Sequence, residues 1–119
     1  MRVLVSGGSR GIGAAVCVRI AEAALSRGKH PMIAVCGLRS SEPQQEVVRN
    51  VRALGGQAVA LSGDLANPDV PARLVDAAVA EFGGLDVLVA NSGIASPGSL
   101  CGLSVAEWDR MFATNLRGA

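Results

Sequence analysis

Gly7, Gly8, Gly11 and Gly13 crowd a stretch that follows the apolar run Val3 to Val5 and precedes an alanine-rich segment with helical spacing. A strand, a glycine turn and a helix in that order make a phosphate-binding corner. Glycine permits a sharp turn with positive φ and lets a pyrophosphate approach the backbone N–H groups closely. The helix start then presents unpaired N–H donors and a partial positive charge. Ser6, Ser9, Arg10 and Ile12 share the turn and carry the hydroxyls, the charge and the one bulky side chain found there. A tight turn without a ligand is the plain alternative. It leaves the number of glycines at one corner unexplained.

Further along, Asp64-Leu65 follows a third apolar run, and Ala90-Asn91-Ser92-Gly93 follows a fourth. Thr114-Asn115-Leu116-Arg117-Gly118 lies in a final helical stretch. With Ser6-Gly7-Gly8-Ser9-Arg10-Gly11-Ile12-Gly13 these segments resemble, in order and spacing, the N-terminal half of a short-chain dehydrogenase/reductase. Serine keeps the hydroxyl of the threonine that opens the family's glycine turn. The turn and the Arg39-Ser40-Ser41 run most resemble 3-oxoacyl-carrier-protein reductase-like members.

The resemblance implies a role for each position. Ser6, Gly7, Ser9, Arg10, Gly11, Ile12 and Gly13 would cradle the cofactor, with Ile12 lining the nicotinamide side or simply packing at the helix start. Asp64 would accept from the adenine amino group beside Leu65, or cap a loop. Asn91, Ser92 and Gly93 would meet the ribose region, Asn91 tying strand ends together as it does so. The family has Asn and Ala where this chain has Ala90 and Ser92, which alters the local hydrogen bonding. Asn115 matches the helical Asn that orders a catalytic water in the family. A satisfied structural amide on the stripe of Trp108, Met111 and Phe112 is the alternative, and either reading expects it buried.

Cofactor choice turns on the end of the second strand. A carboxylate there holds the 2′-OH of NAD, and an arginine accommodates a 2′-phosphate. This chain reads Gly37-Leu38-Arg39-Ser40, with no acid before Glu42. Arg10 and Arg39 together favour NADP(H), because guanidinium groups suit phosphate geometry, while NAD(H) stays possible. Two solvated arginines are the competing description.

The elements that must position these residues follow from periodicity. Strands are expected at residues 2–6, 32–36, 57–62 and 85–90, where apolar runs suit strands covered on both faces. The first helix runs from Arg10 or Gly11 to about Arg27, with Ile12, Val16, Ile20 and Ala23 or Ala24 inward and Gly28 as the stop. The stretch 22–32 is longer than in common relatives. A second helix starts at Ser41 with Gln44 as a capping box, buries Val47, Val48, Val51 and Leu54, and ends at Gly55-Gly56. A third starts at Asn67-Pro68, turns Leu74, Val75, Ala78 and Val79 inward and closes at Gly83. Ser104 and Glu107 form another capping box before the last helix. The alternation predicts an α/β fold with a doubly wound parallel sheet; the Rossmann-type sheet that the resemblance implies has order 3-2-1-4, here truncated after about four strands.

Composition narrows the function classes. Half the residues are hydrophobic, which supports a core and argues against disorder. A net charge of +1 from well-mixed side chains gives no basic surface for nucleic acid or membrane. Cys17, Cys36 and Cys101 lack metal-ligand spacing, and His30 is the only histidine. They read as reduced thiols, two of them core residues, in a cytoplasmic protein.

The family's chemistry also needs a Ser, a Tyr general acid/base and a Lys four residues after the Tyr. This chain contains no tyrosine, and its only lysine is Lys29 near the first helix. The expectation is therefore a partial NAD(P)-binding domain over residues 1–119, the cofactor-binding half of an oxidoreductase acting on a small carbonyl or alcohol substrate. It would be inactive alone, and its last strand, 85–90, would leave a bare apolar edge prone to association. Complete family members are usually homo-oligomers. A non-catalytic dinucleotide-binding module and a non-functional truncated product are the alternatives.

Overall fold

A computed structural model describes residues 1–119. The strands are β1 (Arg2–Val5), β2 (Met32–Gly37), β3 (Gln57–Ser62) and β4 (Val87–Val89). The helices are α1 (Gly11–Leu25), α2 (Glu42–Ala53), α3 (Val70–Phe82) and α4 (Val105–Phe112). A 3₁₀ turn at Leu100–Gly102 precedes α4, and a π-helical turn at Ala113–Arg117 follows it. All strand pairs are parallel and their order is β3-β2-β1-β4, the order expected of a Rossmann-type sheet.

The apolar runs divide between two faces because side chains alternate along a strand. Val3 and Val5 of β1 and Ile33 and Val35 of β2 join Cys17 and Ala21 of α1 and Val47, Val48 and Val51 of α2. Leu4, Ala34 and Cys36 point the other way, against Leu74, Ala78 and Phe82 of α3. Helices thus cover both faces of the inner strands, as a doubly wound sheet requires.

Three inward stripes differ from their periodic reading. In α1 the buried residues are Gly13, Cys17, Ala21 and Ala24, while Ile12 stands 77% exposed. Small side chains face the sheet because α1 lies close to it, and Val16 and Ile20 only flank the contact. Leu54, the C-cap of α2, is exposed because the helix ends before it, and in α3 Val79 is exposed at the rim of the buried face. Leu74 and Ala78 carry the α3 contact.

The Ser41–Gln44 capping box does not form. Ser41 is the N-cap but makes no side-chain capping bond. Gln44 is fully buried instead, and its Nε2 donates to Val35 O at 2.8 Å and Leu61 O at 2.7 Å. Carbonyls at the ends of β2 and β3 outcompete the helix start for this amide. The second box is present: Ser104 Oγ accepts from Glu107 N, and the Glu107 carboxylate accepts from Ser104 N. Hydrogen bonds from Ser104 hold the Glu107 carboxyl below its usual range.

β4 is shorter than its apolar run and lies at the sheet edge, with Val87 and Leu88 exposed. Its start is clamped by Arg2, which donates to Asp86 Oδ1 at 2.6 Å and to Gly83 O at 3.0 Å. The bonds from Arg2 hold the Asp86 carboxyl at about 2. Gly83 ends α3 in the left-handed region at φ 73°. No residue of α4 is buried, and the rings of Trp108 and Phe112 stack 4.6 Å apart on its outward side. The apolar stripe of this helix therefore faces away from the core. No helix is long and apolar enough to cross a membrane.

Candidate functional site

Parallel strands deliver all their C-terminal ends to one rim of the sheet, and the glycine turn leaves β1 at that rim. Gly7 takes φ +63° and Gly11 φ +54°, values that a side chain disfavours. Gly13 is needed for space. A Cβ there would lie 2.1 Å from Gly7 O and 2.6 Å from Asn91 Nδ2. The first turn of α1 thus rests directly on the loop before it. Arg10 is the N-cap without a side-chain capping bond, and the first turn contains no acidic residue. The N–H donors of the α1 start are left open to a ligand.

Ser6 and Asn91 join the β1 and β4 ends. Ser6 is buried, and its Oγ accepts from Asn91 N at 3.0 Å and Ser92 N at 3.1 Å. Asn91 Nδ2 donates to Ser6 O at 3.3 Å and to Gly7 O at 3.2 Å. The pair fixes the turn against the edge strand, although Ala90 and Ser92 replace the family residues there.

An open cleft of about 390 Å³ lies along this rim. That volume is within the range of roughly 300–1,000 Å³ found for small-molecule sites. Its walls are Gly7 and residues 9–12, the β2 end at 36–38, the β3 end at 63–65, residues 91–94, and Arg110 with Thr114. The structure therefore brings Gly7, Ser9, Arg10, Gly11, Ile12, Asp64, Leu65, Asn91, Ser92 and Gly93 to one cavity. Ser6 and Gly13 support the wall from behind. Arg39 is exposed just beyond Leu38 and does not line the cleft. Cys36 does line it, but burial pushes its thiol up to about 12, which keeps it neutral and unreactive.

Asp64 and Asn115 are positioned by local bonds. Asp64 Oδ1 accepts from Ala66 N at 3.0 Å, and Oδ2 lies 3.6 Å from Arg110 Nη2. Asn115 sits in the π-helical turn, exposed rather than buried. Its Oδ1 accepts from Ile94 N at 2.8 Å and its Nδ2 donates to Ile94 O at 2.9 Å. The amide is satisfied by the backbone of the loop after β4. It is exposed because α4 buries no face against the sheet.

Two residues of this wall carried no sequence signal of their own. Arg110 and Thr114 are one turn apart and face the cleft together. Their shared spacing of four is the one clue that was available. Thr114 is buried, and its hydroxyl has no hydrogen-bond partner. Arg117 Nη2 donates to Ala66 O and ties the same segment to the loop after β3.

Comparison with known proteins agrees with this fold. The pattern of the family described as short chain dehydrogenase matches residues 1–119. A short chain dehydrogenase/reductase of Aspergillus aculeatus is 38% identical over 97% of this chain and 41% of its own length. A probable tetrahydroxynaphthalene reductase of Zymoseptoria tritici is 39% identical with the same coverage. A short chain dehydrogenase from Burkholderia cenocepacia, solved in complex with NADP, superposes with a TM-score of 0.88 at 40% identity. That match covers 98% of this chain and 45% of the solved one. The chain spans about two fifths of the length of the curated relatives it matches.

Proposed function

The chain belongs to the short-chain dehydrogenase/reductase family, and from that premise we propose that residues 1–119 are the cofactor-binding part of a cytoplasmic, NADP(H)-dependent oxidoreductase. The observation that carries the reading is the glycine turn opening, with the uncapped start of α1, onto a cleft walled by all the strand ends. The residues fit a dinucleotide. Gly11 has no heavy atom within 4 Å of where its Cβ would stand, so the backbone there is open to a close ligand. The Thr114 hydroxyl is a buried polar group without a partner on the cleft wall.

In this reading the turn backbone and the α1 start bind the pyrophosphate. Asp64 receives the adenine amino group. Asn91 holds the β4 end in place and, with Ser92 and Gly93, shapes the path toward the nicotinamide. Asn115 fixes the Ile94 loop on the reacting side. Bound NADP(H) would supply the hydride exchanged with a carbonyl or alcohol carbon. Without a tyrosine, and with Lys29 exposed beyond α1, the chain holds the cofactor and does not by itself complete the proton transfer. NADPH oxidation with carbonyl substrates tests that second point: turnover by the isolated chain refutes it.

Preference for NADP(H) rests on Arg10 at the cleft and Arg39 just beyond it. Charge-assisted bonds to a phosphate contribute about 1.5–3 kcal/mol, so NADPH should bind roughly ten- to a hundredfold tighter than NADH. Arg39→Asp should reverse the order by repelling the 2′-phosphate and offering an acceptor to a 2′-OH. Fluorescence titration of both nucleotides measures this. Unchanged preference in the variant would remove Arg39 from the phosphate site.

A further inference from the structure

On the cleft wall, the loop after β3 and helix α4 set a carboxylate and a guanidinium side by side, each with hydrogen-bonding capacity left. Asp64 Oδ1 is used by Ala66 N, and Oδ2 is left facing Arg110. The Arg110 Nη2 to Asp64 Oδ2 distance of 3.6 Å is too long for a hydrogen bond. The Arg110 side chain donates to no other group, and both residues line the cleft. Each is about half-exposed, so both can be reached by a ligand.

We propose that Arg110 donates to the purine edge of the bound nucleotide, beside the acceptor that the reading above gives to Asp64. This rests on the dinucleotide-binding reading above and adds Arg110 to it as a specificity-determining residue. The chemistry is that of an adenine edge, where an exocyclic amine donor stands next to a ring-nitrogen acceptor. An asparagine or glutamine amide can match that pair alone. Here the same acceptor–donor pair is split between a loop carboxylate and a helix guanidinium. A 6-oxo purine puts a carbonyl where the amine was, against the Asp64 carboxylate. The ion pair keeps the two groups within one ligand edge of each other. Thr114, one turn beyond Arg110, closes the same wall.

The test is titration of the chain with NADPH and with its 6-oxo analogue, reduced nicotinamide hypoxanthine dinucleotide phosphate. The parent should bind NADPH at least about tenfold tighter, the discrimination expected of one good paired edge contact. Arg110→Met should weaken NADPH about tenfold without lowering the melting temperature, because a half-exposed side chain supports no core. Arg110→Lys keeps a donor and should restore most of the affinity. Asp64→Asn, whose amide can turn either atom to the ligand, should erase the discrimination between the two nucleotides. The proposal is overturned if the parent binds both nucleotides equally, or if Arg110→Met leaves NADPH affinity unchanged. It is also overturned if affinity falls only in step with thermal stability and lysine fails to rescue it. A parent that binds neither nucleotide overturns the dinucleotide-binding reading and this inference with it.

Discussion

Gly13→Ala should lower the melting temperature by roughly 10–20 °C and abolish nucleotide binding, the largest effect of any single methyl group in the chain. The added Cβ would stand 2.1 Å from Gly7 O and 2.8 Å from Gly7 C, both backbone atoms, and 2.6 Å from Asn91 Nδ2. None of these can withdraw cheaply. Gly7 O already accepts from Asn91, and Asn91 is held to Ser6. Relief requires α1 to move away from the turn, which separates the helix start from the cleft. Overpacking of this kind costs about 3 kcal/mol or more where the backbone itself is struck. Gly11→Ala is the matched control. It meets no atom within 4 Å, but must hold φ +54°, at a cost of about 1–2 kcal/mol. Thermal unfolding followed by circular dichroism separates them, and equal melting points for the two variants would refute the steric argument.

Gln44→Leu should destabilise the chain by about 2–4 kcal/mol, although leucine fills a similar volume. Gln44 is fully buried and supplies both amide hydrogens to strand-end carbonyls, Val35 O and Leu61 O. Leucine leaves each carbonyl short of a partner away from water, and each such loss costs about 1–3 kcal/mol. Ser62 Oγ, 3.4 Å from Gln44 Oε1, loses its contact as well. The β2 and β3 ends form one wall of the cleft, so NADPH affinity should fall with stability. Urea unfolding measures the first effect and titration the second. A leucine variant as stable as the parent would mean that the ladder alone satisfies these carbonyls.

Gln44 also marks where the sequence could and could not be read. Ser41 and Gln44 have the spacing of a capping box, as do Ser104 and Glu107, and only the second pair forms one. Spacing cannot say that buried carbonyls of two strands lie within reach of the first pair, since that depends on α2 packing across the sheet. The strands were legible because an apolar run covered on both faces has few other uses. Their order came from the Rossmann-type fold that the resemblance implied, since alternation alone fits more than one parallel order. The glycine turn was legible because its φ values and close contacts are local demands.

What failed depended on distance between elements. In α1 the bulky apolar residues suggested one inward stripe, but close approach to the sheet selected the small residues one position on. The α4 stripe has the spacing of an inward face, yet Trp108 and Phe112 stand outside and Asn115 is exposed. Arg110 and Thr114 reach the cleft only because α4 comes back over the loop after β3, more than forty residues earlier in the chain. No local pattern encodes that return.

The unequal burial of the three cysteines gives the unmodified chain a built-in reporter. Burial pushes the Cys17 and Cys36 thiols up to about 12, so neither forms the reactive thiolate near neutral pH. Cys101 is exposed, on the turn that links the loop after β4 to α4. One equivalent of a maleimide dye should therefore mark this position alone, as peptide mapping of the labelled chain would show. Without any engineered cysteine, a fluorophore is then attached to the segment that joins two walls of the cleft. Its emission would follow whether those walls draw together when a nucleotide arrives.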